Sequence, residues 1–276
     1  CVKASLRGLA EPRNRRSFSH GGPAETSFMR FRLLTYNIHK CIGGIDRKYH
    51  PDRVIEVLGH YQPDIAMLQE VDDGVPRSSH HRQVDLLGDA LGYRYRAYQR
   101  NVLLRTGAYG NAILSRLPLF DVNHVDLTVR WKKCRRALLA HCRIELEGHS
   151  RRLLLMNVHL GLAGYERVIQ VRRLLTTDVL LHTHHHTPVL LGGDFNDVFG
   201  VLGRKFLKPF GFQPVAHNHK TFPAALPLRG LDWVFYRGDV SHHHAFAGHS
   251  EIAKRASDHV PLVVDFDLLP PSSDQG

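Results

Sequence analysis

The sequence is poor in cysteine, tryptophan and methionine, with four, two and three of each in 276 residues. Cys1, Cys41, Cys134 and Cys142 include no CxxC pair, which argues against a structural zinc site. If Cys134 and Cys142 share one extended strand, they lie about 27 Å apart, beyond disulfide reach. Reduced thiols in a cytoplasmic protein are the simplest expectation. No run of about 18 apolar residues occurs, so no membrane-spanning helix is expected. No internal repeat is present, and no Pro/Gly-rich linker divides Met29–Leu269, so one domain with a substantial core is expected. Acidic residues are in deficit, 26 against 37 Lys and Arg, giving a net charge of +11 with neutral histidines. A basic surface favours polyanions such as nucleic acid or anionic lipid headgroups, with general solubility as the plain alternative.

Residues 1–28 hold five basic and two acidic groups, so the rest of the chain still carries +8. This stretch lacks an apolar signal core and is rich in Arg, Ser, Gly and Pro, the composition of a disordered extension. Met29 is a candidate start, and a lipid-modified Cys1 or a secreted form is the alternative to a cytoplasmic protein. Residues 270–276 read as a frayed tail. The domain is expected over residues 29–269.

Within that span short apolar runs alternate with helical patterns. Phe31–Tyr36, Asp64–Leu68, Tyr93–Tyr98, Asn111–Ser115 and Leu119–Val125 read as strands. So do Ala137–Leu146 and Arg152–Val158, joined by a turn at Glu147–Ser150, and Pro188–Leu191, Leu231–Tyr236 and Leu262–Phe266. Pro51 opens a helix through His60, Val84–Leu91 is helical, and Tyr165–Leu181 has the apolar spacing of an amphipathic helix. Helices among paired strands predict a mixed α/β domain with helices outside packed sheets.

The chemically useful polar residues share one placement, the ends of apolar strands. Asn37, Glu70, Asn157, His159, Asp194 and Asn196 each follow or close such a run, and Asp258 and His259 stand just before one. Strand ends are rigid platforms for presenting groups to a ligand. Glu70, with Asn37 and Asp258, offers the oxygen ligands that a hard cation such as Mg²⁺ takes, one or two carboxylates with water completing the shell. Such a metal polarises a phosphoryl oxygen. Asp194 is the candidate to orient or deprotonate a water, with Asn196 holding phosphate. His159 and His259 are candidates for proton transfer or phosphate stabilisation, and Asp232 for orienting His259. Singly, each has a plainer reading as a turn former, a satisfied histidine or a surface charge.

Their joint order changes the weighing. Thr35-Tyr36-Asn37-Ile38-His39, Leu68-Gln69-Glu70-Val71, Gly110-Asn111-Ala112-Ile113-Leu114-Ser115, Asn157-Val158-His159-Leu160, Gly193-Asp194-Phe195-Asn196, Leu231-Asp232-Trp233-Val234 and Ser257-Asp258-His259-Val260-Pro261-Leu262 occur in that sequence. Together they resemble the endonuclease/exonuclease/phosphatase (deoxyribonuclease-I-like) superfamily over about Met29–Phe266, in particular its compact bacterial members. The resemblance implies a four-layer αββα sandwich of two packed, mostly antiparallel sheets flanked by helices. It also implies a metal-dependent phosphoesterase using Mg²⁺ or Mn²⁺. By position, Asn37 and Glu70 would be metal ligands with Asp258 nearby, Asp194 and Asn196 would handle water and phosphate, and His159 would meet the scissile phosphate. His259 would pair with Asp232, and Arg136 would touch phosphate. The resemblance implies a reaction type rather than one substrate.

Two further features are notable. His182, His184–His186 and His242–His244 form histidine-rich stretches, read as solvated and as adventitious metal binders. Arg130-Trp131-Lys132-Lys133-Cys134-Arg135-Arg136 is the densest basic cluster, and Trp131 within it could stack a nucleobase. The leading expectation is a monomeric endonuclease acting on nucleic acid. Its rivals are a lipid or inositol phosphoesterase, which needs an apolar rim near the site (Trp131, Phe222 and Leu226 being the candidates), and an inactive polyanion-binding protein.

Overall fold

A computed structural model describes residues 28–146, 149–215 and 219–270. The N-terminal extension up to residue 27, part of the Glu147–Ser150 turn and the tail from residue 271 lie outside the described residues. In chain order the elements are β1 (Met29–Asn37), α1 (Pro51–Tyr61), β2 (Ile65–Asp73), α2 (Gln83–Leu91), β3 (Tyr95–Leu103) and β4 (Ala108–Ser115). There follow β5 (Leu119–Asp126), β6 (Arg136–Leu146), β7 (His149–His159), α3 (Gly164–Leu175), α4 (Asp178–Leu181) and β8 (Val189–Asp194). The chain closes with β9 (Gln213–Pro214), β10 (Asp232–Arg237), β11 (Val240–Ala247), α5 (Glu251–Ala256) and β12 (Leu262–Leu268).

The strands form two six-stranded sheets, ordered β11-β12-β1-β2-β4-β3 and β5-β6-β7-β8-β10-β9. Pairing is antiparallel except for β1 with β2 and β7 with β8. Those two parallel pairs are joined by crossovers carrying α1 and α3–α4, as parallel pairing requires. Three apolar layers hold the stack together. Phe31, Leu33, Met67, Leu155, Val234 and Phe266 belong to the layer between the sheets. Val54, Val57 and Leu58 of α1 seal one outer face with Leu34, Ala66 and Val263, and Val171, Leu174 and Leu175 of α3 seal the other with Met156 and Leu191. The result is the four-layer αββα sandwich. Each fully buried Leu, Val or Phe is worth roughly 1.5–3 kcal/mol.

Three departures from the sequence pattern have local causes. β2 runs on to Asp73 because a bulge between Leu68 and Val71 takes up an extra residue, with Glu70 in the left-handed region at φ 56°. The Tyr165–Leu181 pattern divides into two helices. At the break Thr176 Oγ1 donates to Arg172 O (3.1 Å) and Thr177 Oγ1 to Leu174 O (2.9 Å), competing with continued helix. The second histidine run lies in β11, an edge strand whose alternation is masked by His242–His244 and a bulge there. Among the described residues, no helix is long and apolar enough to cross a membrane.

The parallel pairs decide where chemistry can sit. β1, β2, β7 and β8 all end at one edge of the sandwich, where the antiparallel β6, β10 and β12 begin. That edge gathers the polar residues picked out by the sequence pattern.

Candidate active site

At the site end, the apolar layer between the sheets gives way to buried amides. Gln69 Nε2 donates to Thr35 Oγ1 (3.1 Å), Met67 O (3.1 Å) and Asn157 Oδ1 (2.8 Å). Asn157 Nδ2 donates to Leu68 O (3.0 Å) and Ala112 O (2.9 Å), and Asn111 Nδ2 to Arg136 O (3.1 Å). These bonds tie one sheet to the other and form a floor. They satisfy groups that would be costly to bury unpaired.

Above the floor stands Asp194, the last residue of β8. Its approach is fixed by Gly192 and Gly193. Gly193 has φ +143°, and a Cβ there would lie 1.9 Å from Val158 O, so only glycine fits. At Gly192 a Cβ would meet the flexible Met67 Sδ at 3.0 Å. Asp194 Oδ2 accepts from Asn37 Nδ2 (3.1 Å), and lies 3.5 Å from His159 Nε2 and 3.8 Å from His259 Nε2. Oδ1 accepts from Asn196 N (3.0 Å), while Asn196 Nδ2 donates to Leu160 O (3.0 Å). Burial pushes the Asp194 carboxyl up to about 7, against the pull of His259.

His259 and Asp232 form a buried pair, Nδ1 to Oδ2 at 2.8 Å, with side-chain exposures of 5% and 0%. Burial disfavours the charged imidazole, but Asp232 and then Asp194 outweigh it and raise His259 to about 10. His259 therefore stands as an imidazolium at neutral pH, its Nε2 aimed at Asp194. The Phe222 ring packs 5.0 Å from it. His159 behaves oppositely. Burial, with Arg135 close by, drives it well below the usual imidazole range, so it is neutral. Two histidines beside one carboxylate thus hold different charges, an arrangement able to divide acid and base work.

Glu70 stands apart from this cluster on the β2 bulge and pairs with the Lys40 ammonium. Burial works against the Glu70 charge, but the Lys40 ammonium paired with it holds the carboxyl below its usual range. Lys40 is aimed by strained backbone. His39, Lys40 and Cys41 all have positive φ (45°, 62° and 59°), at about 1–2 kcal/mol each. Gln83 Nε2 anchors the turn by donating to Lys40 O (2.7 Å). Asp258 lies beside His39, 3.9 Å from Nδ1, and Ser257 Oγ donates to Asn37 O (2.7 Å), tying the Asp258–His259 loop to the end of β1.

Of the residues singled out from sequence, Asn37, His159, Asp194, Asn196, Asp232 and His259 are brought together directly. Glu70 and Asp258 flank them. Arg136 is exposed and donates to Arg100 O (3.2 Å) on the sheet edge, whereas its neighbour Arg135 is buried. Lys40, Gln69 and Arg135 are site residues that the sequence reading passed over. A lysine three residues beyond a strand-end asparagine carries no signal until the left-handed turn folds it back.

The sequence pattern of the Endonuclease/Exonuclease/phosphatase family matches residues 34–259, which contain every residue of this cluster. The chain belongs to the endonuclease/exonuclease/phosphatase family. It is 29% identical over 261 residues to the uncharacterized protein YbhP of Escherichia coli K12, covering 89% of this chain and all of that one. Among solved structures it is similar to the family's protein from Beutenbergia cavernae, with a TM-score of 0.70, 20% identity, and coverage of 88% of this chain and 72% of that one. It is also similar to one from Bacteroides vulgatus, with a TM-score of 0.70, 19% identity, and coverage of 87% and 99%. These structures share its fold.

Members of the endonuclease/exonuclease/phosphatase family are phosphoesterases that generally use divalent metal ions. The residues present fit such an ion. Glu70 is a half-buried carboxylate paired with a cation, Lys40, and Asn37 and Asp258 at the same sheet edge offer further oxygen donors. Among the described residues no group of three or more His, Cys, Asp or Glu side chains is placed to hold a metal ion.

Proposed function

We propose that the protein is a divalent-metal-dependent phosphodiesterase working by direct attack of water on phosphorus. The observation that carries this is Asp194, held within 3.1–3.8 Å of Asn37, His159 and His259, with Asp232 behind His259. Asp194 orients the attacking water and takes its proton, a role suited to a carboxyl near 7. The His259 imidazolium, held by Asp232, faces the negative charge that builds on the phosphoryl oxygens. Asn196 and neutral His159 donate to the same oxygens and fix the phosphate in line. Glu70, Asn37 and Asp258 would hold the metal, which when bound polarises the phosphoryl group and offsets charge on the leaving oxygen.

The endonuclease reading draws support from Trp131, 88% exposed in a loop with Arg130, Lys132 and Lys133. The phospholipid reading draws support from exposed apolar side chains around the same edge. Half of these are leucines, which cannot stack on bases, so we favour a phospholipid diester.

The test is hydrolysis of bis(p-nitrophenyl) phosphate, a single-stranded oligonucleotide and an anionic phospholipid, each with Mg²⁺, with EDTA and with the Asp194→Ala and His259→Ala variants. Turnover that needs the metal and both side chains is expected on the small diester and on the lipid. Equal turnover by the variants would sink the assignment. Turnover on the oligonucleotide but not the lipid would restore the nuclease reading.

A further inference from the structure

Large apolar side chains exposed on this protein are not scattered. Apart from Phe28, Val122, Leu181 and Phe210, all of those exposed among the described residues lie on strand ends, loops or first turns at the edge bearing the candidate active site. The most exposed are Ile45 after β1, Leu103 in the β3–β4 hairpin, Trp131 in the β5–β6 loop, Leu162 between β7 and α3, Phe199 after β8, and Leu226 and Leu228 before β10, at 60–88%. Apart from Leu103, each comes from a segment next to a strand end that supplies a site residue. Soluble surfaces rarely gather so many large apolar groups in one region without a use for them.

The charge on most of these loops has one sign, the exception being the Ile45 turn, where Asp46 pairs with Arg53 (2.7 Å). Residues 103–107, 127–135, 160–163 and 219–231 include no Asp or Glu, but they do include Arg105, Arg130, Lys132, Lys133, Lys220 and Arg229, all exposed. The one acidic residue of 195–200, Asp197, is buried and accepts from Leu202 N (2.7 Å). Cation–π contacts tie the rim together, with Lys132 Nζ 5.4 Å from the Tyr165 ring and Lys133 Nζ 5.0 Å from the Tyr109 ring.

We propose that this rim docks the protein on a bilayer rich in anionic phospholipid, placing the site over lipid phosphodiesters. This rests on the phosphodiesterase reading above and names its substrate class. Apolar tips with basic flanks match the headgroup–acyl boundary, where apolar groups insert and Lys or Arg meet lipid phosphate. Single-stranded nucleic acid fits less well, because Leu103, Leu162, Leu226 and Leu228 offer it no stacking face. A second copy of this chain would bring basic loops against basic loops.

The test is flotation of the full chain with phosphatidylglycerol vesicles and with pure phosphatidylcholine vesicles, at low and high salt, without added metal so that binding is read apart from turnover. The expected result is capture by the anionic vesicles at low salt, at least about tenfold weaker on phosphatidylcholine, since several Lys and Arg act together. Tryptophan emission should shift to the blue on binding in the parent and not in Trp131→Ser. A Leu103→Ser/Leu162→Ser/Leu226→Ser variant should lose binding by about tenfold or more while keeping the parent's melting temperature, because these side chains are exposed. It should also keep its rate on bis(p-nitrophenyl) phosphate, and His259→Ala should bind vesicles as the parent does. No capture by anionic vesicles, or equal capture of the rim variant, would overturn the docking proposal even if the small diester is still cleaved. Vesicle binding without any diester turnover would overturn the phosphodiesterase reading and leave the docking surface standing.

Discussion

Replacing Asp232 with asparagine tests the buried pair that holds His259 charged. The side chain keeps its shape and one acceptor, so the chief change is the lost negative charge 2.8 Å from Nδ1. In the folded protein His259 titrates at about 10, whereas an unfolded histidine titrates at about 6.5, a difference worth ~4 kcal/mol at pH 7. Breaking a buried pair from one side costs about 3–5 kcal/mol by a separate route, which agrees. Because asparagine retains an acceptor, the expected destabilisation is about 2–4 kcal/mol at neutral pH. The sign follows from the raised value. The stabilisation is complete below the unfolded value and fades as pH rises through about 10. The melting-temperature gap between parent and variant should therefore be widest near pH 6, roughly 5–12 °C for a chain of this size, and should close towards pH 10.5. Turnover of bis(p-nitrophenyl) phosphate at pH 7.5 should fall about 10²–10⁴-fold as His259 becomes neutral. A gap of equal size at pH 6 and pH 10.5, or turnover within threefold of the parent, would refute the reasoning.

Other outcomes follow from the same geometry. With metal in excess, kcat/KM should rise as pH passes about 7, where Asp194 ionises, and fall as it passes about 10, where His259 loses its proton; a flat profile would remove both from the chemistry. Lys40→Met should tighten Mn²⁺ binding, measured by calorimetry, by about tenfold because Glu70 loses the ammonium it is paired with; weaker binding would show that Lys40 helps rather than competes. Gly193→Ala should destabilise by about 2 kcal/mol or more, whereas Gly192→Ala should cost about 1 kcal/mol or less, since one meets a carbonyl and the other a movable thioether. Leu155→Ala, in the layer between the sheets, should cost about 2–5 kcal/mol in denaturant unfolding.

Most of the sandwich was legible in the sequence because buried strands and amphipathic helices write their periods directly. Phe31–Tyr36 and Leu262–Phe266 are apolar almost throughout, as strands covered on both faces must be. The pairing of β1 with β12 across more than two hundred residues was not legible from the residues one by one. The ordered family resemblance implied the four-layer sandwich but not this pairing. β11 was legible only as a loop or an edge strand, because histidines blur its two-residue period, and α5 was not legible because six residues are too few to show a helical one. The cluster around Asp194 was anticipated from strand ends followed by polar residues. Lys40 and Gln69 were not, because a left-handed turn decides where the first goes and the β2 bulge where the second goes, and Arg135 carries no signal that sets it apart from the other basic residues of its loop. The motif points to Arg136, the first residue of β6, which is exposed, whereas Arg135 just before the strand is buried.

The amide seam of Gln69, Asn111 and Asn157 has a consequence for how the protein could be divided or repaired. Each half of the sandwich contributes an incomplete set of reactive groups, and that seam aligns the sets. Loosening the packing between halves by a fraction of an ångström would disconnect Asn37 from Asp194 long before either half lost its own hydrogen-bonded ladder. Catalytic competence should accordingly vanish earlier in a denaturant series than circular dichroism does, making turnover a finer gauge of sheet alignment than any spectroscopic measure of folding.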